Sequence, residues 1–243
     1  MKLSIIIPVY NEEATIGEVI RRVLAVPLNK EVIVVNDGST DGSAGIIGGV
    51  DDGRLTLVDL ARNQGKGTAV RAGLERVTGT HVLVQDADLE LLPEEIPRLL
   101  APIEAGRVEV VYGSRFEMGR GQASARNYLA NRLITGWANL LYGSSLSDVS
   151  TCYKLFPARL IDQLDLRCRG FEFCTEITSK VLRSGHEIED VPVTFRPRAH
   201  EDGKKLRYLR DGARGAWTLL RWRLWRPAPS PTPAPCAPPA NPK

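Results

Sequence analysis

At 243 residues the chain is long enough for one domain with a substantial core, plus an extension. Its 43% hydrophobic and 25% charged composition is that of a globular protein, which excludes fibrous and low-complexity classes. A net charge of only +3 excludes a chain that binds nucleic acid through overall charge, so no nucleic-acid partner is expected. The charge is uneven, however: between Arg196 and Arg226 ten Lys/Arg face three acids, a local excess of +7 that leaves the remainder net acidic.

The four cysteines, Cys152, Cys168, Cys174 and Cys236, form no C-x-x-C pair. With three histidines in the chain, a Cys/His zinc site is not expected, and the first three cysteines read as reduced core thiols of a cytoplasmic protein. Neither a signal peptide nor the roughly 20-residue apolar run of a transmembrane helix is legible, so any work at a membrane is expected to be peripheral.

In chain order, Leu3-Ser-Ile-Ile-Ile-Pro-Val9 is a β-branched run, read as a buried strand with Pro8 at its end. Asn11, Glu12 and Glu13 follow, and then Ile16, Val19, Ile20, Val23 and Leu24 recur at helical spacing. Glu31-Val-Ile-Val-Val35 is a second strand, running into the turn-rich loop Asn36-Asp-Gly-Ser-Thr-Asp-Gly-Ser43, where a ligand could be held. Leu55-Thr-Leu-Val-Asp-Leu60 is a third. Arg62-Asn-Gln-Gly-Lys-Gly-Thr68 then opens a helix marked by Val70, Leu74 and Val77. Glycines flanking Lys66 at a helix start suit an anion, because free N–H groups and a cation would face it together. The spacing of a Walker A loop is absent and no G-x-G-x-x-G follows a strand, which argues against a P-loop and a dinucleotide Rossmann site.

Val82 to Gln85 reads as the end of a fourth strand, and Asp86-Ala-Asp88 sits at its tip. Two carboxylates one residue apart in a turn can share one hard cation, and Mg²⁺ or Mn²⁺ prefers such oxygens. Asp is also common in turns for bonds to its own backbone. Pro93 is placed at the first turn of a helix with Ile96, Leu99, Leu100 and Ile103 on one face, and Val108-Glu-Val-Val-Tyr112 is a fifth strand ending at Gly113-Ser-Arg115. This alternation predicts an α/β fold with a mostly parallel sheet covered on both faces. It sets Glu12, Asp37 and Asp86/Asp88 along one crevice at the carboxyl edge.

Ser4-Ile-Ile-Ile-Pro-Val-Tyr-Asn-Glu-Glu13, Val35-Asn-Asp-Gly-Ser-Thr-Asp41, Asn63-Gln-Gly-Lys-Gly67 and Gln85-Asp-Ala-Asp88 stand in the order and spacing of family 2 GT-A glycosyltransferases, which the chain resembles. Gly113-Ser-Arg115, Asp148-Val-Ser-Thr-Cys-Tyr-Lys154, Phe171-Glu-Phe-Cys-Thr-Glu176, Val191-Pro-Val-Thr-Phe195 and Gly203-Lys-Lys205 look like the dolichol-phosphate mannosyltransferase branch. The likeness covers about residues 2 to 226. It implies a GT-A fold and an inverting transferase that uses a nucleotide-diphospho-sugar and Mg²⁺ or Mn²⁺.

By the same resemblance, Pro8, Tyr10, Glu12, Val35 and Asp37 would hold the base and ribose. Asp86, Ala87 and Asp88 would meet the diphosphate end, with Asp86, Asp88 and Glu90 as metal ligands. Lys66, Arg115, Arg198 and Lys204 would be cations around the diphosphate, and Arg115 and Arg126 would take the acceptor phosphate. Asp88, Arg115 and Asp148 are the catalytic candidates. A hydroxyl acceptor would require a base, for which Asp148 is placed. A lipid phosphate, with a second pKa of about 6, is already ionised near neutral pH and requires cations instead. Asp148 would then be structural, capping the following turn.

The boundaries read as a glycosyltransferase domain over 1–206, a basic amphipathic helix over 207–226 and a Pro-rich tail over 227–243 without apolar periodicity. Leu209, Ala213, Ala216, Trp217, Leu220 and Leu224 fall near one face of that helix, among arginines and with Trp222 and Trp225 nearby. Such a helix suits a membrane headgroup region, or packs on the domain with a solvated Arg face. The expected reaction moves a hexose, mannose from GDP-mannose first, to a polyprenyl or dolichyl phosphate at the cytoplasmic face of a membrane. The alternatives are a UDP-sugar transferase with a hydroxyl acceptor in polysaccharide or glycolipid synthesis, and a non-catalytic nucleotide-sugar-binding module.

Overall fold

The β-branched runs become the centre of the molecule. The computed structural model describes residues 1–198 and 208–227, so Lys204 and the proline-rich tail from 228 lie outside the described residues. Seven strands form one sheet: β1 (Leu3–Val9), β2 (Lys30–Asn36), β3 (Leu55–Asp59), β4 (His81–Val84), β5 (Val110–Ser114), β6 (Lys154–Pro157) and β7 (Ile188–Pro192), in the order β3-β2-β1-β4-β6-β5-β7. The first five are those expected, with β5 displaced by two residues. β1 runs parallel to β2 from Leu3↔Lys30 to Val9↔Asn36 and parallel to β4 from Leu3↔His81 to Ile6↔Val84. β6 is the exception: it lies antiparallel between β4 and β5. Its reversed direction brings Cys152 and Tyr153, which precede it, to the edge where the parallel strands end.

Successive strand residues point to opposite faces, which splits the apolar runs between two cores. Ile5, Ile7, Val32 and Val34 pack with α1 (Ile16–Ala25) and α4 (Ile96–Glu104). Ile6, Ile33, Val35, Val82 and Val84 pack with α3 (Lys66–Leu74) and α7 (Phe173–Arg183). Burial on both faces is why these strands read as continuous apolar runs. Two short helices, α2 (Ser43–Gly48) and α6 (Leu160–Leu164), fill connections.

The remaining helices, α5 (Ala125–Tyr142) and α8 (Tyr208–Arg221), lie against each other, and α8 also lies against α7. The segment read as a separate helix over 207–226 is thus docked on the domain. It docks through Gly215, Thr218, Leu219 and Trp222, spaced 3, 1 and 3 residues apart. A Cβ at Gly215 would stand 2.7 Å from Ile134 Cδ1, so the small residue permits the close approach. Tyr142 Oη donates to the Leu219 carbonyl at 2.6 Å and Trp137 Nε1 to the Ala216 carbonyl at 3.3 Å. The face grouped from sequence is therefore not the buried one, since Trp217, Leu220 and Leu224 point to solvent. Trp222 is buried beneath Lys180, whose Nζ lies 3.9 Å from its ring centroid, so it is a packing residue. Among the described residues no helix is long and apolar enough to cross a membrane.

α3 rests on the sheet through Gly73, where a Cβ would meet Ile6 Cγ2 at 2.6 Å and Val35 Cγ2 at 3.2 Å. Gly73→Ala is expected to destabilise by about 1–3 kcal/mol through overpacking. Gly45→Ala in α2 has nothing within 4 Å of the new methyl and should gain about 0.5–1 kcal/mol from helix propensity. Thermal unfolding of the two variants should move in opposite directions.

Candidate active site

The Asp86-Ala-Asp88 turn leaves β4 at the carboxyl edge and is braced from several elements. Gln85 is fully buried; its Nε2 donates to the Asp86 carbonyl at 3.0 Å and its Oε1 accepts from Tyr153 Oη at 2.5 Å. Thr15 Oγ1, just before α1, donates to the Ala87 carbonyl at 2.7 Å. The Ala87 side chain is buried in the core beneath α1 and α4, so it supports the turn from below. Leu89, at a φ of 59°, turns the chain sharply between Asp88 and Glu90.

Each acid of the turn faces a cation from elsewhere in the fold. Lys66, first residue of α3, donates to Asp86 in a tight ion pair and to Cys152 Sγ at 2.7 Å. Burial opposes both charges, yet the mutual attraction holds Lys66 well above its ordinary pKa and Asp86 below its own. Arg198 Nη2 lies 2.8 Å from Asp88 Oδ2, and its guanidinium also grips Glu12 at 2.9 and 3.1 Å. Burial, and then the negative charge of Asp86, pushes the Asp88 carboxyl up in spite of Arg198. Two adjacent hard carboxylates, one strained by the charge of the other, fit Mg²⁺ or Mn²⁺, which would relieve that repulsion.

Several expectations change. Glu90 accepts the Arg198 backbone N–H at 3.1 Å, and among the described residues no three His, Cys, Asp or Glu gather as a metal-binding group. One Glu90 oxygen is thus engaged by the segment that carries Arg198. The N–H groups at the start of α3 are not free for an anion. Gly67 and Thr68 donate to the Arg169 carbonyl at 2.7 and 3.2 Å, because the 165–170 loop packs directly on the Gly65-Lys66-Gly67 turn. Val35 is fully buried and turned into the core under α3, so its side chain cannot meet a nucleotide. Asp37, 2% exposed, accepts backbone N–H bonds from Gln64 and Gly65, both at 2.8 Å. It anchors the 62–65 loop and presents almost no surface to a ribose. Glu12 is committed to Arg198, while Pro8 and Tyr10 are half-buried at the end of β1.

Asp148, expected as either a base or a structural cap of the following turn, has the surroundings of the second. It is 0% exposed, and both oxygens are occupied: Arg115 Nε and Nη2 donate at 2.7 and 2.9 Å, Asn131 Nδ2 at 2.6 Å, and the Arg115 and Ser150 N–H groups at 3.2 Å each. Burial would raise this carboxyl, but Arg115 and Asn131 outweigh it and hold it low. A saturated, acidic and solvent-free carboxylate is poorly suited to collect a proton, so the base role is replaced by that of holding Arg115. The Arg115 guanidinium also sits 5.2 Å from the Phe116 ring and 5.3 Å from the Phe195 ring. Arg126 is exposed in the first turn of α5. Sequence reading missed Asn131 and Tyr153 as supports and took Cys152 for a packing residue. The first two lack any local signal, and the contact of Cys152 with Lys66 depends on the reversed strand.

A family model for glycosyl transferase family 2 matches residues 4–164. Among curated relatives, an undecaprenyl-phosphate 4-deoxy-4-formamido-L-arabinose transferase of Pseudomonas fluorescens (strain Pf0-1) is 35% identical over 209 residues, covering 83% of this chain and 59% of its own. A polyprenol monophosphomannose synthase of Mycolicibacterium smegmatis is 29% identical, covering 80% of this chain and 77% of its own. The chain spans little more than half the length of the first curated relatives, 59% and 53%. Among solved structures, glucosyl-3-phosphoglycerate synthase from Mycobacterium tuberculosis in complex with UDP shares the fold at a TM-score of 0.71 and 21% identity, over 91% of this chain and 80% of that one.

The Asp148–Arg115 pair has a measurable signature. Asp148→Ala leaves a mostly buried guanidinium unpaired and is expected to cost about 3–5 kcal/mol in urea unfolding. Because the folded-state pKa of Asp148 is depressed, its contribution is complete above the ordinary carboxylate range of about 4 and is lost as pH falls toward the lowered value. Stability measured from about pH 5 downward should fall more steeply in the wild type than in Asp148→Asn.

Proposed function

We propose, for a chain that belongs to glycosyl transferase family 2, that it transfers a sugar from a nucleotide-diphospho-sugar to a polyprenyl phosphate. The observation that carries the acceptor class is the state of Asp148. An inverting transfer to a hydroxyl requires a base with an available lone pair near the acceptor, and the Asp148 oxygens are spent on Arg115 and Asn131. A phosphate oxygen arrives already ionised and calls for a cation, and Arg115 is the cation this site orients. The names of the Pseudomonas fluorescens and Mycolicibacterium smegmatis relatives both place the sugar on a polyprenyl carrier, which supports the same acceptor. The sugar differs between those two relatives; mannose from GDP-mannose is the first donor to test.

In this reading Asp86 and Asp88 would hold Mg²⁺ or Mn²⁺, which would supply positive charge against the leaving nucleoside diphosphate. Lys66 and Arg198, which pair with those carboxylates, would turn to the same diphosphate once the carboxylates have another partner. Arg115, fixed by Asp148 and flanked by Phe116 and Phe195, holds the acceptor phosphate with the side of its guanidinium not turned to Asp148. An oxygen of that phosphate attacks the anomeric carbon as its bond to the diphosphate oxygen breaks. The sugar is inverted, nucleoside diphosphate leaves and no proton changes hands. Since the acceptor is a lipid, the chain works at a membrane surface.

The test is a panel of labelled donors (GDP-mannose, UDP-glucose, UDP-N-acetylglucosamine) with a short polyprenyl phosphate, with and without Mn²⁺. Label is expected in a lipid-extractable product only with metal, and Asp86→Ala or Asp88→Ala should lower turnover by about 10²-fold or more. Donor binding without any lipid product would overturn the acceptor assignment. Full activity in either Asp variant would overturn the metal assignment.

A further inference from the structure

Cys152 and Cys174 have no part in the proposed transfer, yet they lie against its charges. Cys152 Sγ accepts from Lys66 Nζ at 2.7 Å, and the same ammonium group pairs with Asp86. The Cys152 thiol is also in hydrogen-bond contact with that of Cys174, the second residue of α7. Beyond Cys174 lies Lys154, which is fully buried. Its Nζ donates to two neutral acceptors, the Val149 carbonyl at 3.1 Å and Thr178 Oγ1 at 3.2 Å, and Thr178 Oγ1 donates in turn to the Cys174 carbonyl at 2.9 Å. Two thiols in contact thus stand between two ammonium groups, at the N-terminal turn of α7.

Cys168 supplies the contrast. Burial and the Glu176 carboxylate push its thiol up to about 12. For Cys174 the Cys152 thiol, against the effect of burial and with the help of Lys154 and Lys66, holds the pKa below the ordinary thiol range. Reactive cysteines are those set among positive charges and open to solvent at some point, whereas a thiol buried beside an acid is inert. Cys152 is half-buried and Cys174 is 5% exposed, so an oxidant meets Cys152 first and Cys174 stands behind it. Both thiols are free in this structure, as a pair that opens and closes requires.

We propose that Cys152 and Cys174 are a peroxide-sensitive modification site, closing a reversible disulfide that takes the Cys152 thiol away from Lys66. The Cys152 sulfur attacks one oxygen of the peroxide, the O–O bond breaks, and a sulfenic acid forms while the other oxygen leaves as water with the thiol proton. The Cys174 sulfur then attacks the Cys152 sulfur. The S–O bond breaks, the S–S bond forms, and the hydroxyl leaves as a second water with the Cys174 proton. Two thiols lose two electrons in all, and one peroxide is reduced to two waters. The sulfurs close to about 2 Å, which ties the 148–153 segment, with Asp148 at its start, to α7. Lys66 loses its sulfur acceptor in the same step. The effect on turnover rests on the proposed reading of Lys66 as a diphosphate cation; the modification site itself does not.

The experiment treats the full, reduced chain with hydrogen peroxide, blocks the remaining thiols with N-ethylmaleimide and maps its peptides without reduction. Labelled-donor binding, and turnover on a short polyprenyl phosphate, are measured on the same samples. A disulfide between Cys152 and Cys174 is expected, with Cys168 alkylated. Turnover should fall about tenfold or more, as a small misplacement of a positioned charge does, and dithiothreitol should restore it. Cys174→Ala should form no such bond and should retain the Cys152 sulfenic acid, trapped with dimedone. The wild-type peptide map decides the pairing even where that variant folds poorly. Cys152 and Cys174 both alkylated after peroxide, or a bond to Cys168 or Cys236 in place of the expected one, would overturn the proposal. A Cys152–Cys174 disulfide that leaves donor binding and turnover unchanged would overturn its control of the site. Absence of lipid product from the reduced chain, with the disulfide formed and donor binding lowered by it, would sink the acceptor reading and leave the thiol site standing.

Discussion

Asp86 and Asp88 place two negative charges one residue apart in a partly buried turn, where burial and mutual repulsion both disfavour ionisation. Such a pair persists only if positive charge is brought to it, and much of the surrounding chain does this. α3 supplies Lys66 from its first residue, and the segment after β7 supplies Arg198, which spans Asp88 and Glu12. The same negative concentration that requires these cations also suits a divalent ion.

The cations are themselves held by deeper contacts. Glu176 and Lys180 form a fully buried pair at 2.8 Å in α7. Glu176 also accepts the backbone N–H groups of Arg167, at 2.9 and 3.0 Å, and of Cys168, at 2.7 Å. That fixes the loop whose Arg169 carbonyl caps α3 and so fixes Lys66. A buried pair of this kind adds little net stability over an apolar one but ties a loop to a single position. Asp148 has the same relation to Arg115 on the other side of the crevice. Together these contacts fix where the charges of the crevice stand.

α5 joins the crevice to the outside. Its Asn131 and Thr135 turn inward to Asp148 and Val149, Ile134, Ala138 and Leu141 pack on the same side, and Leu129, Leu133 and Leu140 are exposed. Apolar periodicity is read on the assumption that leucines point inward, which misleads wherever they do not. In α8 the same assumption selects the exposed stripe around Trp217 as the buried face, when Gly215, Thr218, Leu219 and Trp222 do the docking.

Local periodicity alone specified the first five strands, α1, α3 and α4, and the placement of Glu12, Asp37, Asp86 and Asp88 at one edge. Strand alternation, helical spacing and the parallel βα order are properties of neighbouring residues. The family motifs added the expected chemistry in the same way, residue by residue. Only the tertiary structure decided that β6 runs backward and delivers Cys152 to Lys66, that Asp148 is consumed by Arg115, that Asp37 is consumed by the 62–65 loop, and that Val35 faces the core. It also decided that the N–H groups opening α3 belong to Arg169. Each of these depends on which distant group reaches a charge or an N–H first. Periodicity over a few residues reports which faces are apolar; it does not report which distant partner comes within 3 Å, and that distance settles the electrostatics of a buried group.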